Sequence, residues 1–332
     1  MKILLYFEGQ KMLSRSGLAR AYYNQEHLLK LAGFDVTHDT KAKDYDILYV
    51  HTYGVHAMNM IRKAKKAGKK VIIFARSFEE DFRGSFIGSN LISSNYKKYL
   101  IRFYNSADAL FTPTPYTKSL IEGYGITPPT FVVSSGVNLP QYLPNALKEN
   151  AFREIFGIQP GQQVVISVGH YYERKGIHDF IEVAKKFPNV RFMWLGEAPA
   201  IMVSPRLKKE MSKKIENVEF TGFIKGDLLE GALSSADVFF FPSQRESEGI
   251  VVLEALASKQ KVLVRDIPAY SPWLEDEVHC QKGRTEREFV EKLAFLLENP
   301  CKEMRENAYK LAQTRSLPNI SQQVKDLFVS FM

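Results

Sequence analysis

Two short stretches hold residue types that could do chemistry together. The first runs from Ser243 to Ser258 and contains Glu246, Glu248, Gly249 and Glu254, with seven residues between Glu246 and Glu254. It follows the apolar run Val238–Phe241 and Pro242, so a buried strand stops there and passes the chain to a loop. Val251, Val252, Leu253, Leu256 and Ala257 then carry a helix. Gly249 permits close approach, and the amides of Ile250 and Val251 at the helix start are ready for an anion. Carboxylates accept hydrogen bonds from hydroxyls. A site offering both amides and carboxylates therefore suits phosphate joined to a polyol, that is, a sugar nucleotide. The second stretch is Gly169-His-Tyr-Tyr-Glu-Arg-Lys-Gly176, again directly after an apolar run, Val164–Val168. Arg174 and Lys175 ahead of a glycine at a helix start could neutralise a departing diphosphate.

Such loops need strands to end on and helices to begin. Apolar runs of strand length recur at Met1–Phe7, Asp46–Val50, Val71–Phe74, Ala107–Phe111 and Phe131–Val133. They recur again at Val164–Val168, Val190–Gly196, Val218–Gly222, Val238–Phe241 and Lys261–Arg265, with helical periodicity between them. The alternation predicts an α/β protein with two doubly wound, Rossmann-like domains facing a cleft. A length of 332 residues fits two domains. The Pro-containing stretch Pro140–Asn150 reads as the linker. The expected division is 1–145, 146–315 and a final helix, 316–332, crossing back to the first domain. Gly9 and Gly17 are too far apart, and lack a third glycine, for a nicotinamide dinucleotide fingerprint.

The run Phe-Phe-Pro-Ser-x-x-Glu-x-x-Gly-Ile-Val-x-Leu-Glu-Ala resembles the signature of family-4 retaining glycosyltransferases with the GT-B fold. The resemblance implies that Glu246 contacts the transferred sugar and Glu254 the ribose of the nucleotide. It places Lys175, Gly169 and His170 at the donor pyrophosphate; because His170 stands where arginine is usual, either Arg174 supplies the second cation or the phosphates have one fewer contact. Ser16 and Gly17, after the first strand, match positions facing the phosphates and the acceptor, and Phe223 falls beside the nucleotide base. No Asp-x-Asp motif with an aromatic lead marks a metal-held diphosphate, so the resemblance implies no metal and no cofactor besides the UDP-sugar.

The charge is uneven. Residues 1–150 hold 20 Lys+Arg against 12 Asp+Glu, whereas residues 151–332 hold 25 of each. A basic first half suits an anionic partner or simply a solvated face. Tyr96, Tyr99, Leu100, Phe103 and Tyr104 fall on one helical stripe, with Lys97, Lys98 and Arg102 mostly on others. That pattern fits a helix lying on an anionic bilayer, and equally a core helix with a basic outer face. The segment Asp81-Phe-Arg83-x-Ser-Phe86 resembles glycolipid-forming members of the family, which often carry a histidine where Arg76 stands here. Asp81 and Arg83 could contact the acceptor or hold each other. Cys280 and Cys301 have no metal-ligand spacing and point to a reducing interior. No apolar stretch approaches the ~20 residues of a membrane span. The resemblance to glycolipid-forming members therefore implies a hexosyltransferase using UDP-galactose or UDP-glucose on a membrane glycolipid, glucosyl-diacylglycerol, for the lipoteichoic acid anchor. It would act peripherally on the inner face of the plasma membrane, without nucleic acid. A cell-wall or capsular polysaccharide transferase would share the donor site, and a non-catalytic sugar-nucleotide-binding module would bind UDP without turnover.

Overall fold

The computed structural model describes residues 1–14, 16–82, 89–271 and 273–331. Its backbone divides into two units. One gathers Met1–Phe82, Leu91–Val137 and the C-terminal stretch from Arg315; the other includes Asn138–Thr314.

The first unit is built on β1 (Lys2–Tyr6), β2 (Asp35–Thr37), β3 (Ile47–Val50), β4 (Lys70–Phe74), β5 (Ala109–Thr112) and β6 (Thr130–Val132). Their order is β2-β1-β3-β4-β5-β6, all parallel. The central strands β3 and β5 are buried at every residue, which is why they read as unbroken apolar runs. The helix Val55–Lys66 turns Ala57, Ile61 and Ala64 inward, an i, i+4, i+7 stripe, and leaves its lysines outside. Its N-terminus is capped by Glu8 from the loop after β1, whose carboxylate accepts from the amides of Ala57 at 2.6 Å and His56 at 3.3 Å. A short helix, Gln10–Leu13, occupies part of that loop, which the sequence presents as open chain.

The C-terminal helix Leu317–Ser330 belongs to this unit. Val137 and Leu317 exchange backbone bonds across the point where the chain leaves and returns: Val137 N–H donates to Arg315 O at 3.0 Å, and Leu317 N–H to Val137 O at 3.1 Å. Phe328, fully buried, packs its ring against Phe34, Tyr49 and Phe111, each with centroids 5.5 Å away.

The second unit holds β7 (Val164–Val168), β8 (Arg191–Leu195), β9 (Val218–Gly222), β10 (Val238–Phe241), β11 (Val262–Arg265) and β12 (Gln281–Gly283). The parallel order is β12-β11-β10-β7-β8-β9. Its core sets Trp194, Phe180, Phe192 and Phe240 against Phe289, Leu293 and Leu296 of the helix Glu286–Glu298. The stretch Pro140–Asn150, expected as a linker, is largely helical. Leu139–Tyr142 and Ala146–Ile155 occupy it, the latter packed on the helix Asp227–Ser235. Strand β12 has no apolar signature, being Gln-Lys-Gly at a sheet edge, and periodicity does not find it.

Candidate active site

Parallel strands deliver their following loops to one edge of the sheet, and β7, β10 and β11 are neighbours. The loop after β7 presses directly on the end of β10. Gly176 has φ +80°, and a Cβ there would stand 2.3 Å from Pro242 O, so only glycine allows the approach. Arg265, closing β11, fixes the same point: its Nε donates to Pro242 O at 3.0 Å while its Nη2 pairs with Asp179 at 2.6 Å. The two loops are stitched together by Gln244 N–H donating to Arg174 O at 2.7 Å, and by Arg174 Nη1 donating to Arg245 O at 3.1 Å.

Lys175 and Glu246 meet in this corner as an ion pair, Nζ donating to Oε1, with side chains only 13% and 11% exposed. The Lys175 ammonium also lies over the Phe241 ring, 5.2 Å from its centroid. Ser243 Oγ donates to the same Oε1 at 2.6 Å. Among the described residues Glu246 Oε2 receives no hydrogen bond, which leaves that oxygen for a ligand. Burial works to raise the Glu246 carboxyl. The charges of Lys175 and Arg174 and the bonds from Lys175 and Ser243 outweigh it, and the group sits below its ordinary value.

The helix Ile250–Ala257 begins beside this pair. Gly249 precedes it at φ +81°, and the first helical bond runs from Val252 N–H to Gly249 O at 2.8 Å. The amides of Ile250 and Val251 find no acceptor among the described residues and point out of the helix start. Glu254 is on the same helix, 1% exposed. Gly169 holds the start of the β7 loop, its carbonyl accepting from Trp194 Nε1 at 2.8 Å. His170 is half-buried and donates Nδ1–H to Glu197 O at 2.6 Å, an assignment that leaves Nε2 as acceptor. Burial, together with Lys175 and Arg174, lowers its pKa despite the Glu197 carbonyl. A neutral imidazole therefore stands where the family pattern would put a cation. Phe223 is half-buried just past β9.

The remaining expected residues lie in the first unit. Ser16 caps the helix Gly17–Leu31, its Oγ accepting from Ala19 N–H at 3.4 Å. Arg76 reaches that helix start, Nη1 donating to Gly17 O at 3.5 Å, with its guanidinium over Phe74. Beside Arg76, His51 at the end of β3 is buried among the rings of Tyr22, Tyr49 and Phe74, and burial holds it well below its ordinary pKa. Asp81 is half-buried in the short helix Glu79–Phe82; Arg83 lies outside the described residues.

In the helix Ser89–Tyr104 the aromatic stripe faces inward. Tyr96 stacks on Phe82 with centroids 4.0 Å apart, Tyr99 stacks on Phe103 at 6.0 Å, and both tyrosines pack against the first unit's core. Lys97 pairs with Glu79 at 3.7 Å and covers the Tyr124 ring, whereas Lys98 and Arg102 are exposed. Arg102 also lines a groove of about 1020 Å³ with Met60, Arg62, Lys63, Lys65 and Lys66. Among the described residues no helix is long and apolar enough to cross a membrane, and no cluster of three or more His, Cys, Asp or Glu is placed to hold a metal ion.

The family model of "Glycosyl transferases group 1" matches residues 148–315, the span that carries this corner, and that of "Glycosyltransferase Family 4" matches residues 15–141. The chain belongs to the group 1 glycosyl transferases. This glycosyltransferase is 40% identical over 329 residues, 99% of its length and 98% of the relative's, to the processive diacylglycerol alpha-glucosyltransferase of Acholeplasma laidlawii. It is 24% identical over 97% of its length and 87% of the relative's to the alpha-galactosylglucosyldiacylglycerol synthase of Streptococcus pneumoniae. Anabaena HepE, solved with UDP and glucose, superposes with a TM-score of 0.78 over 99% of this chain and 100% of that one. At 17% identity that likeness shows the fold, which is GT-B.

Two residues that hold the candidate corner together have no signal in the sequence: Ser243 and Arg265. Ser243 and Arg265 act through single bonds to Glu246 and Pro242, which no spacing reveals.

Proposed function

We propose that this hexosyltransferase moves glucose or galactose from a UDP-sugar, with retention of configuration, onto a diacylglycerol glycolipid at a membrane surface. The observation that carries the reading is the Lys175–Glu246 pair standing beside the outward amides of Ile250 and Val251. Glu246 is held ionised, and its Oε2 accepts from a hydroxyl of the sugar being transferred. The diphosphate lies on the Ile250 and Val251 amides, where the helix dipole favours negative charge. Lys175 and Arg174 supply the cations that absorb charge as the sugar–phosphate bond breaks. Attack from the same face, with the leaving phosphate taking the proton of the incoming hydroxyl, accounts for retention and needs no covalent bond to Glu246. Glu254 then serves the ribose and Phe223 the base, with Gly169 and His170 beside the phosphates.

For the acceptor, the full-length similarity to a diacylglycerol glucosyltransferase supports glucosyl-diacylglycerol. The exposed Lys98 and Arg102 and the groove cations Arg62, Lys63, Lys65 and Lys66 support contact with anionic lipid at the inner membrane face. Tyr96 and Tyr99, turned inward, leave that contact to the cations. Ser16 and Gly17 are the first unit's candidates for the donor phosphates, Arg76 and Asp81 its candidates for the acceptor, and the product would serve as a lipid anchor of the lipoteichoic acid kind. The test is a panel of radiolabelled UDP-glucose and UDP-galactose against vesicles with and without glucosyl-diacylglycerol. Incorporation into lipid only when a diacylglycerol acceptor is present supports the reading, and transfer to soluble saccharides alone defeats it. Glu246→Gln with unchanged kcat and KM would remove Glu246 from its role.

A further inference from the structure

The loop after β11 brings one more side chain to this corner. Tyr270 is 0% exposed, and its hydroxyl has no hydrogen-bond partner among the described residues. The ring meets Trp273 edge-on, with centroids 5.9 Å apart, and is thereby fixed in orientation. Its hydroxyl rests on Gly249: a Cβ built there would lie 2.8 Å from Oη. Gly249 is the residue from which the amides of Ile250 and Val251 open outward.

An enclosed hydroxyl without a partner weakens the free protein, and phenylalanine would fill the same volume without that penalty. Such a group is explained when another state of the protein satisfies it. Its placement indicates which state. The hydroxyl stands at the N-terminal end of a helix whose first amides are unspent, and close enough to Glu246 to feel its charge. Burial, with Glu246 adding to it, holds the phenol well above its ordinary value, so it remains a proton donor at any working pH. A neutral donor here can meet an anion without competing with Lys175 for the Glu246 carboxylate.

We propose that Tyr270 binds the nucleotide sugar, its hydroxyl donating to a diphosphate oxygen seated on the Ile250 and Val251 amides. The inference rests on the reading that this pocket takes a nucleotide diphosphate, and it adds a residue that neither the glutamates nor the basic loop supplies. Because the turn at Gly249 covers the hydroxyl in the free chain, ligand entry draws that turn away from the ring. Glycine at this position leaves no side chain to obstruct the movement.

The test is Tyr270→Phe in the full chain. Its readouts are UDP binding by calorimetry, initial rates with UDP-glucose and diacylglycerol vesicles, and thermal unfolding followed by tryptophan fluorescence. Expected are an unchanged or higher melting temperature for the free variant, a loss of UDP affinity of about tenfold or more, and a matching loss of kcat/KM for UDP-glucose. Unchanged UDP affinity overturns the inference. If kcat alone falls, the hydroxyl acts on Glu246 instead of the ligand. A variant that melts lower than wild type, or fails to fold, also overturns it, because the hydroxyl would then already have a structural partner. Wild-type protein that binds no UDP defeats the pocket reading itself, whereas equal binding by wild type and Tyr270→Phe defeats this inference alone.

Discussion

Removing either half of the Lys175–Glu246 pair should cost more than removing both. The side chains are 13% and 11% exposed, so each charge has given up most of its water and depends on the other. Lys175→Met leaves the carboxylate with the Ser243 hydroxyl and the more distant Arg174 charge. A fully buried orphan charge costs about 3–5 kcal/mol; the residual exposure and Arg174 bring the expectation to about 2–3 kcal/mol. Glu246→Gln keeps an acceptor for the ammonium, and Lys175 keeps the Phe241 ring, so about 1–2 kcal/mol is expected. In the double variant no unpaired charge remains, and stability should return to within about 1 kcal/mol of wild type, a coupling of roughly 2 kcal/mol or more. Urea unfolding read by tryptophan fluorescence isolates the effect, because both tryptophans, Trp194 and Trp273, are in the second unit. Hexosyl transfer should be lost in all three variants. Single effects that simply add, with coupling under about 0.5 kcal/mol, would show that the two groups do not hold one another and would refute the reasoning.

Two other outcomes follow from the same physics. The depressed Glu246 carboxyl contributes stability that is fully present above its ordinary value of 4.5 and disappears as pH falls through the lowered one. The stability difference between wild type and Glu246→Gln, measured by urea unfolding, should therefore stay constant from about pH 7 to 5 and shrink only in stronger acid. Phe328→Ala should destabilise the first unit by about 3–5 kcal/mol, read as faster hydrogen exchange in β3 and β5, while the tryptophan-reported transition of the second unit stays where it was.

How much of this was legible in the sequence varies with the kind of interaction. Buried parallel strands such as Val238–Phe241 and Ile47–Val50 announce themselves, because both faces must be apolar. The pairing of Lys175 with Glu246 was implicit in their loops, since each follows a strand and the strands are adjacent, but adjacency itself is a topological fact that no local pattern states. The stripe Tyr96–Tyr104 shows the limit of periodicity. Amphipathic spacing says that one face differs from the other, not whether the aromatic one meets protein or lipid, and here Phe82 and Tyr53 take it. Gln281–Gly283 became a strand through its edge position beside β11, against the grain of its composition. Helix Ala146–Ile155 likewise owes its place to packing on Asp227–Ser235 across more than seventy residues of chain. His170 illustrates a chemical surprise. The resemblance expects arginine at its position, and burial beside two real cations keeps the imidazole that stands there neutral.

The route of the backbone bears on how the molecule is made. Everything from Asn138 to Thr314 leaves the ribosome before the segment carrying Phe328 does, although that phenylalanine fills a hole among Phe34, Tyr49 and Phe111 near the start of the chain. During synthesis the early sheet must wait, one side uncapped, while the later sheet assembles from contiguous chain. The first sheet is thus completed only once the segment carrying Phe328 has been made, and a chain cut short ahead of that residue would yield a well-formed second unit joined to an unfinished first one.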